Sequence, residues 1–202
     1  MSASPRLGIF GGTFDPPHLG HLILAGEALA QLGLEKILFV LTADPPHKQD
    51  RRITPVEDRL AMLEAALEGL PNFEISRVEI DRPGPHYVVD SIRLLREQFP
   101  AHGLVYLIGG DSLDSLPTWH APQDLVAAIS ALGVMRRPGT QIQLDELEAE
   151  LPGLSAKIEF IDAPLLEIAS REIRQRIAAG GHYRYYLPPK LVKVIETRGL
   201  YR

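Results

Sequence analysis

Two segments, ILFVL at Ile37–Leu41 and LVYLI at Leu104–Ile108, carry no charged or strongly polar side chain at any position. A strand with one wet face alternates apolar and polar residues, so runs of this kind belong to a parallel sheet covered by helices on both faces. Further short runs at Leu7–Phe10, Phe73–Ile80, Ala131–Met135 and Ile158–Ile161 bring the predicted strands to six. Amphipathic segments between them predict helices at Gly20–Leu32, Pro55–Gly69, Val88–Phe99, Pro122–Ile129 and Leu144–Leu151. Thr54-Pro55-Val56-Glu57 reads as a capping box with proline at the first helical position. Strand–helix alternation implies right-handed crossovers, hence the α/β class with a Rossmann-like, doubly wound parallel sheet.

After the last strand the pattern becomes helical. IASREIRQRIAAGG predicts a helix capped by Ser170 and stopped by Gly180 and Gly181, and YLPPKLVKVIETRGLY starts another at a proline. With no linker and no internal repeat, residues 1–202 read as a single domain whose helical C-terminal subregion begins at about residue 164.

Composition narrows the function. Lys and Arg number 21 against 26 Asp and Glu, a net charge of -5, which argues against non-specific nucleic-acid binding. A few cations can still gather in one cleft for a small anion. The chain has no cysteine, so disulfides, thiolate metal sites and cysteine nucleophiles are excluded. No stretch reads as a signal sequence or a membrane span, so the expectation is a cytoplasmic protein without membrane or nucleic-acid partners. Self-association is left open.

The stretch GGTFDPPHLGHL, Gly11–Leu22, follows the first predicted strand and enters the first predicted helix. Open α/β sheets bind ligands at the carboxyl ends of their strands. Gly11 and Gly12 let backbone approach a ligand, Asp15-Pro16-Pro17 stiffens the turn, and His18 and His21 fall on one face of the first helical turn. A helix N-terminus offers free N–H groups and partial positive charge, which suits phosphate. Zinc fits less well, because neither cysteine nor a well-placed carboxylate completes a tetrahedral set. The spacing of Gly8, Gly11, Gly12 and Gly20 also departs from the dinucleotide fingerprint G-x-G-x-x-G, which disfavours a dehydrogenase.

This stretch resembles the H-x-G-H signature of the nucleotidylyltransferase superfamily, and specifically the bacterial nicotinate-nucleotide adenylyltransferases. The likeness continues through ADPPHKQDRR (Ala43–Arg52), HYVVDSIRLL from His86, LIGGDSLDSLPTWH from Leu107, MRRPG from Met135, and IASREIR from Ile168. It implies that a phosphate oxygen of nicotinate mononucleotide attacks the α-phosphorus of ATP, with Mg²⁺ carried on the ATP phosphates. It further implies that His18, His21, Lys48 and Arg174 act on the reacting phosphates. ATP would also meet Gly11, Gly12, Thr13, Phe14, Gly109, Asp111 and Ser170. The mononucleotide would meet Gly12, Thr13, His47, Lys48, Tyr87, Val88, Trp119 and Arg137. No protein metal ligands are implied. Departures from the family pattern stand at Val88, Ala169 and Arg171, where the family has threonine, serine and threonine. The basic loop, Trp119 and the long C-terminal helices separate the chain from phosphopantetheine adenylyltransferases. The pairing of His21 with Arg174 separates it from a non-catalytic nucleotide-binding regulator.

Overall fold

The computed structural model describes residues 4–43, 53–136, 143–164 and 166–202. In chain order the strands and helices are β1 (Arg6–Gly12), α1 (Leu19–Gln31), β2 (Lys36–Leu41), α2 (Val56–Leu67), β3 (Phe73–Ser76), α3 (Val88–Gln98) and β4 (Gly103–Gly109). A one-turn helix α4 (Gly110–Leu113), then α5 (Pro122–Ala128), β5 (Ala131–Arg136), α6 (Leu144–Glu150), β6 (Ile158–Asp162), α7 (Ser170–Ala178) and α8 (Pro189–Arg198) complete it.

The six strands form one parallel sheet in the order β3-β2-β1-β4-β5-β6. The chain winds outward from β1 to β3, then returns to lay β4 against the other side of β1. That reversal splays the loops after β1 and β4 apart, and it is where doubly wound sheets bind ligands.

The apolar runs are continuous because both faces are covered. Leu7, Ile9, Leu38, Val40, Tyr106 and Val134 face α3 and α5, where Val89, Ile92, Leu95 and Leu125 pack on them. Phe10, Ile37, Phe39, Leu41, Val105 and Leu107 face the other way, against Ala25 and Ala28 of α1 and Leu63 and Leu67 of α2. The C-terminal subregion adds a third layer: Ile173 and Ile177 of α7 and Leu191, Val192 and Ile195 of α8 close over Met62 and Ala66 of α2.

Local readings are corrected at three places. The third strand ends at Ser76 rather than Ile80, because Arg77 closes a turn with a 2.7 Å ion pair to Asp81. α2 has Pro55 as N-cap and no capping box; the Thr54 carbonyl instead accepts a 2.8 Å bond from Arg59 Nε. Ser170 is the first residue of α7 rather than its cap, which is Ala169, and its hydroxyl donates to the Pro16 carbonyl at 2.8 Å.

Candidate active site

Gly11 and Gly12 are the last two residues of β1, so the loop proper runs from Thr13 to His18. A Cβ on Gly12 would lie 2.8 Å from Cζ of Phe14, and one on Gly11 would lie 3.3 Å from the Tyr106 hydroxyl oxygen. At Gly12 the buried Phe14 ring leaves no room for a side chain, whereas at Gly11 the contact is tight without excluding one. Phe14 takes a left-handed backbone, φ 46°, that turns its ring inward to 2% exposure. There it meets Phe10, Phe39 and the edge of His21, the last at 5.1 Å and 74°. Its side chain supports His21 rather than facing the crevice.

His18 is the N-cap of α1 and His21 its third residue. The two imidazoles stack at 3.7 Å with 30° between their planes. The His18 backbone N–H donates to His21 Nδ1 at 3.1 Å. An imidazole accepting at Nδ1 carries its proton on Nε2, so neutral His21 offers one N–H donor at that position. Burial lowers the pKa of His18 to about 4. Burial, and then the neighbouring His18, hold His21 well below its ordinary range. Both rings are neutral at physiological pH, so before any ligand arrives the pair supplies oriented dipoles rather than positive charge.

This has a consequence for stability. His18 is 6% exposed, and its folded-state pKa of about 4 lies below the unfolded value of 6.5. Between those values the unfolded chain binds more protons, so stability rises with pH across the window and is complete above it. Falling from about pH 7 to about pH 5 should cost up to about 2 kcal/mol at this residue. His21 adds to the loss with the same sign. Urea unfolding at the two pH values reads this, and His18→Asn should flatten the difference.

Two cavities open beside the loop. One, of about 230 Å³, lies on the α1 side and is lined by His18, His21, Gly109, Gly110, Asp111 and Arg136, with Met135, Pro164 and Ile168. The other, of about 310 Å³, lies on the α3 side, with Gly11, Gly12, Thr13, Val88, Tyr106 and Trp119 around it. The glycine loop is the partition between them. Trp119 stands with its ring edge-on to Tyr106 at 6.2 Å, and its indole N–H reaches Ser115 Oγ at 3.3 Å. Tyr87 is the N-cap of α3 and stacks on His120 at 3.9 Å. Asp111 lies in the first turn of α4, whose cap is Gly109.

The remaining candidates fall elsewhere. His47, Lys48 and Arg137 lie outside the described residues. Ser170 and Arg174 line neither cavity; they fasten the first loop from α7, with Arg174 Nη1 donating to the Asp15 carbonyl at 2.6 Å.

Several residues escaped the sequence reading. Asp15 is buried, and its Oδ1 accepts a 2.6 Å bond from the Tyr201 hydroxyl, tying the loop to the penultimate residue of the chain. Arg59, 2% exposed, donates from α2 to the carbonyls of Thr13, Thr42, Ala43 and Thr54 at 2.7–3.1 Å. A cation in phase with the buried Met62, Leu63 and Ala66 was the available signal. Ser91, in phase with the buried Ile92 and Leu95 of α3, offered the same signal, whereas Glu79, which lines the second cavity with it, left no comparable trace.

Known proteins share this architecture and sequence. The Cytidylyltransferase-like family model matches residues 9–176. A Thermomicrobium roseum protein described as "Probable nicotinate-nucleotide adenylyltransferase" is 47% identical over 197 residues, 98% of this chain and 92% of that one. The nicotinate-nucleotide adenylyltransferase of Bacillus subtilis is 39% identical over 196 residues, 97% of this chain and 98% of that one. The chain belongs to the nicotinate-nucleotide adenylyltransferase family. The Plasmodium falciparum nicotinic acid mononucleotide adenylyltransferase, solved with NaAD, superposes with a TM-score of 0.79 over 98% of this chain and 97% of that one. At 19% identity that likeness speaks for the fold, and it places the adenylyltransferase fold over almost the whole chain.

Proposed function

We propose that the chain acts as one adenylyltransferase unit in the biosynthesis of NAD, transferring AMP from ATP to nicotinate mononucleotide. A phosphate oxygen of the mononucleotide attacks the α-phosphorus of ATP. The new P–O bond forms as the bond to the β-phosphate oxygen breaks, giving nicotinate adenine dinucleotide and pyrophosphate. The observation that carries this reading is the pair of cavities separated by one glycine loop, with two stacked imidazoles at the N-terminus of α1. One cavity takes the adenosine beside Gly109 and Asp111, the other the pyridine ring beside Trp119, and the phosphates meet over the loop between them. The family membership of the chain supports the same assignment.

The attacking phosphate is ionised at neutral pH, so no general base is needed, and catalysis consists of alignment and stabilisation of charge at the α-phosphate. Neutral His21 donates from Nε2, and His18, stacked on it, holds that ring in place and adds its own polar edge. Arg174 spends one N–H on the Asp15 carbonyl and lies 3.9 Å from the Asp15 carboxylate; with its side chain 33% exposed, its remaining donors are assigned to phosphate by the resemblance. Ser170 secures the loop through Pro16. Gly11, Gly12, Thr13 and Phe14 form the partition, the last through its backbone. His47, Lys48 and Arg137 are assigned by resemblance to the mononucleotide and the reacting phosphates. Mg²⁺ enters as MgATP, with phosphate oxygens as its main ligands. We place the enzyme in the cytoplasm; among the described residues no helix is long and apolar enough to cross a membrane.

Pyrophosphate release from ATP with nicotinate or nicotinamide mononucleotide tests the reading. The parent should prefer the acid in kcat/KM, through backbone amides near Tyr87–Val88 and the Trp119 loop. Val88 lacks the family hydroxyl, which weakens that preference without reversing it. Trp119→Ala should raise KM for nicotinate mononucleotide about tenfold, through lost stacking and burial, with KM for ATP unchanged. Equal use of acid and amide would defeat the acid-specific assignment, and no release with either would defeat the transfer itself.

A further inference from the structure

The cavity assigned to the pyridine ring contains a charge that the transfer chemistry does not use. Glu79 lies in the turn after β3, is 5% exposed, and lines this cavity with Trp119, Tyr106, Ser91 and Val88. Its Oε1 accepts the Ser91 hydroxyl at 2.7 Å; its Oε2 is buried with no hydrogen bond of good geometry, the Ala43 backbone amide acting on the carboxylate from farther off. Arg82, whose charge also acts on it, donates from Nη2 to the Ser91 hydroxyl oxygen at 3.5 Å and makes no ion pair with Glu79 among the described residues. Burial pushes the Glu79 carboxyl above the usual range, against the opposing pull of the Ser91 hydroxyl, Arg82 and the Ala43 amide. From β4 the Tyr106 phenol faces the same group, its own pKa raised by burial and by Glu79.

Leaving a carboxylate half-satisfied in an apolar cavity is costly unless a cation arrives to meet it. The proposed acceptor brings one. Its ring nitrogen is bonded to ribose, so it is quaternary, carries a fixed positive charge and has no proton to donate. Such a group can be recognised by opposite charge and by aromatic faces, but not by a hydrogen bond to the nitrogen. Trp119 and Tyr106, nearly perpendicular at 82°, supply two aromatic walls, and Glu79 supplies the charge. We propose that Glu79 is a specificity-determining residue whose buried carboxylate is the counter-charge selecting a cationic ring nitrogen over a neutral ring. Ser91 holds that carboxylate in place. The inference rests on the acceptor site proposed above.

The test uses two acceptors of one shape: nicotinate mononucleotide, and the C-ribotide of benzoic acid 5′-phosphate, in which carbon replaces the ring nitrogen. Both stack on Trp119 and both carry the carboxylate and the phosphate; the ring charge alone differs. In the parent, kcat/KM should favour the pyridinium by about tenfold or more, the size of one screened charge contact. Glu79→Gln should raise KM for nicotinate mononucleotide about tenfold, leave KM for ATP and use of the benzoate analogue within about twofold, and so collapse the ratio. An equal loss with both acceptors, or an unchanged ratio, overturns the proposal. Should the variant not fold, the same ratio in the parent must fall as the pH is lowered and Glu79 takes up a proton, because neither ring titrates. A ratio independent of pH overturns the proposal. If the parent transfers AMP to neither acceptor, the acceptor assignment falls and this inference with it; if it uses both equally, the inference alone falls.

Discussion

His21→Ala should lower kcat by about 10²–10³, with the affinity for ATP largely kept. Charge builds on the oxygens around the α-phosphorus as the new bond forms, and a donor fixed in advance stabilises that charge without reorganising during the reaction. The His21 ring is fixed on three sides: by the His18 N–H at Nδ1, by the stacked His18 ring, and by the Phe14 edge. What remains available is the N–H at Nε2. Because the ring acts as a neutral donor, a side-chain amide should restore part of the lost rate, so His21→Gln should fall between parent and alanine. Steady-state kinetics with nucleotide-binding calorimetry separates the two effects. A variant that loses ATP affinity at unchanged kcat would assign His21 to ground-state binding instead.

Arg59→Met should destabilise the fold by about 3–5 kcal/mol, although it keeps the aliphatic stem of the side chain. The guanidinium is the shared donor for four carbonyls, from the first loop, the end of β2 and the start of α2. Methionine leaves buried acceptors without their bonds, and a chain of this length should lose roughly 6–20 °C in Tm. Arg59→Lys should recover little, since a single ammonium cannot span acceptors that a planar fork reaches together. Calorimetry and urea unfolding measure the loss. Because Thr13 is one of the four, the surviving folded enzyme should also show raised KM values. A loss below about 1 kcal/mol would mean that water replaces the guanidinium without penalty.

The sequence alone determined the features whose causes lie within a few residues of one another. Continuous apolar runs required a sheet covered on both faces, and the strand–glycine–histidine–helix order from Leu7 to Leu22 placed two imidazoles on one helical turn. The C-terminal helices were equally legible, with Gly199 at φ 61° ending the last of them. Tertiary structure decided whatever depends on partners far along the chain. Val78 and Ile80 alternate with polar residues as a strand does, but out of phase with Phe73 and Ile75; the Arg77–Asp81 turn closes there and Glu79 turns inward to a serine on α3. Thr54 and Ser170 carry the local marks of helix caps, but Arg59 claims the Thr54 carbonyl and Pro16 claims the Ser170 hydroxyl. Asp15 sits in a turn that proline already explains, while its carboxylate binds Tyr201, 186 residues away in sequence. The protonation of His18 and His21 was decided the same way. A histidine written in a sequence has its solution pKa; exclusion of water by Phe14, by the paired ring and by the surrounding core makes these two neutral. Periodicity records which face of an element is buried, and it carries no record of what lies across the gap.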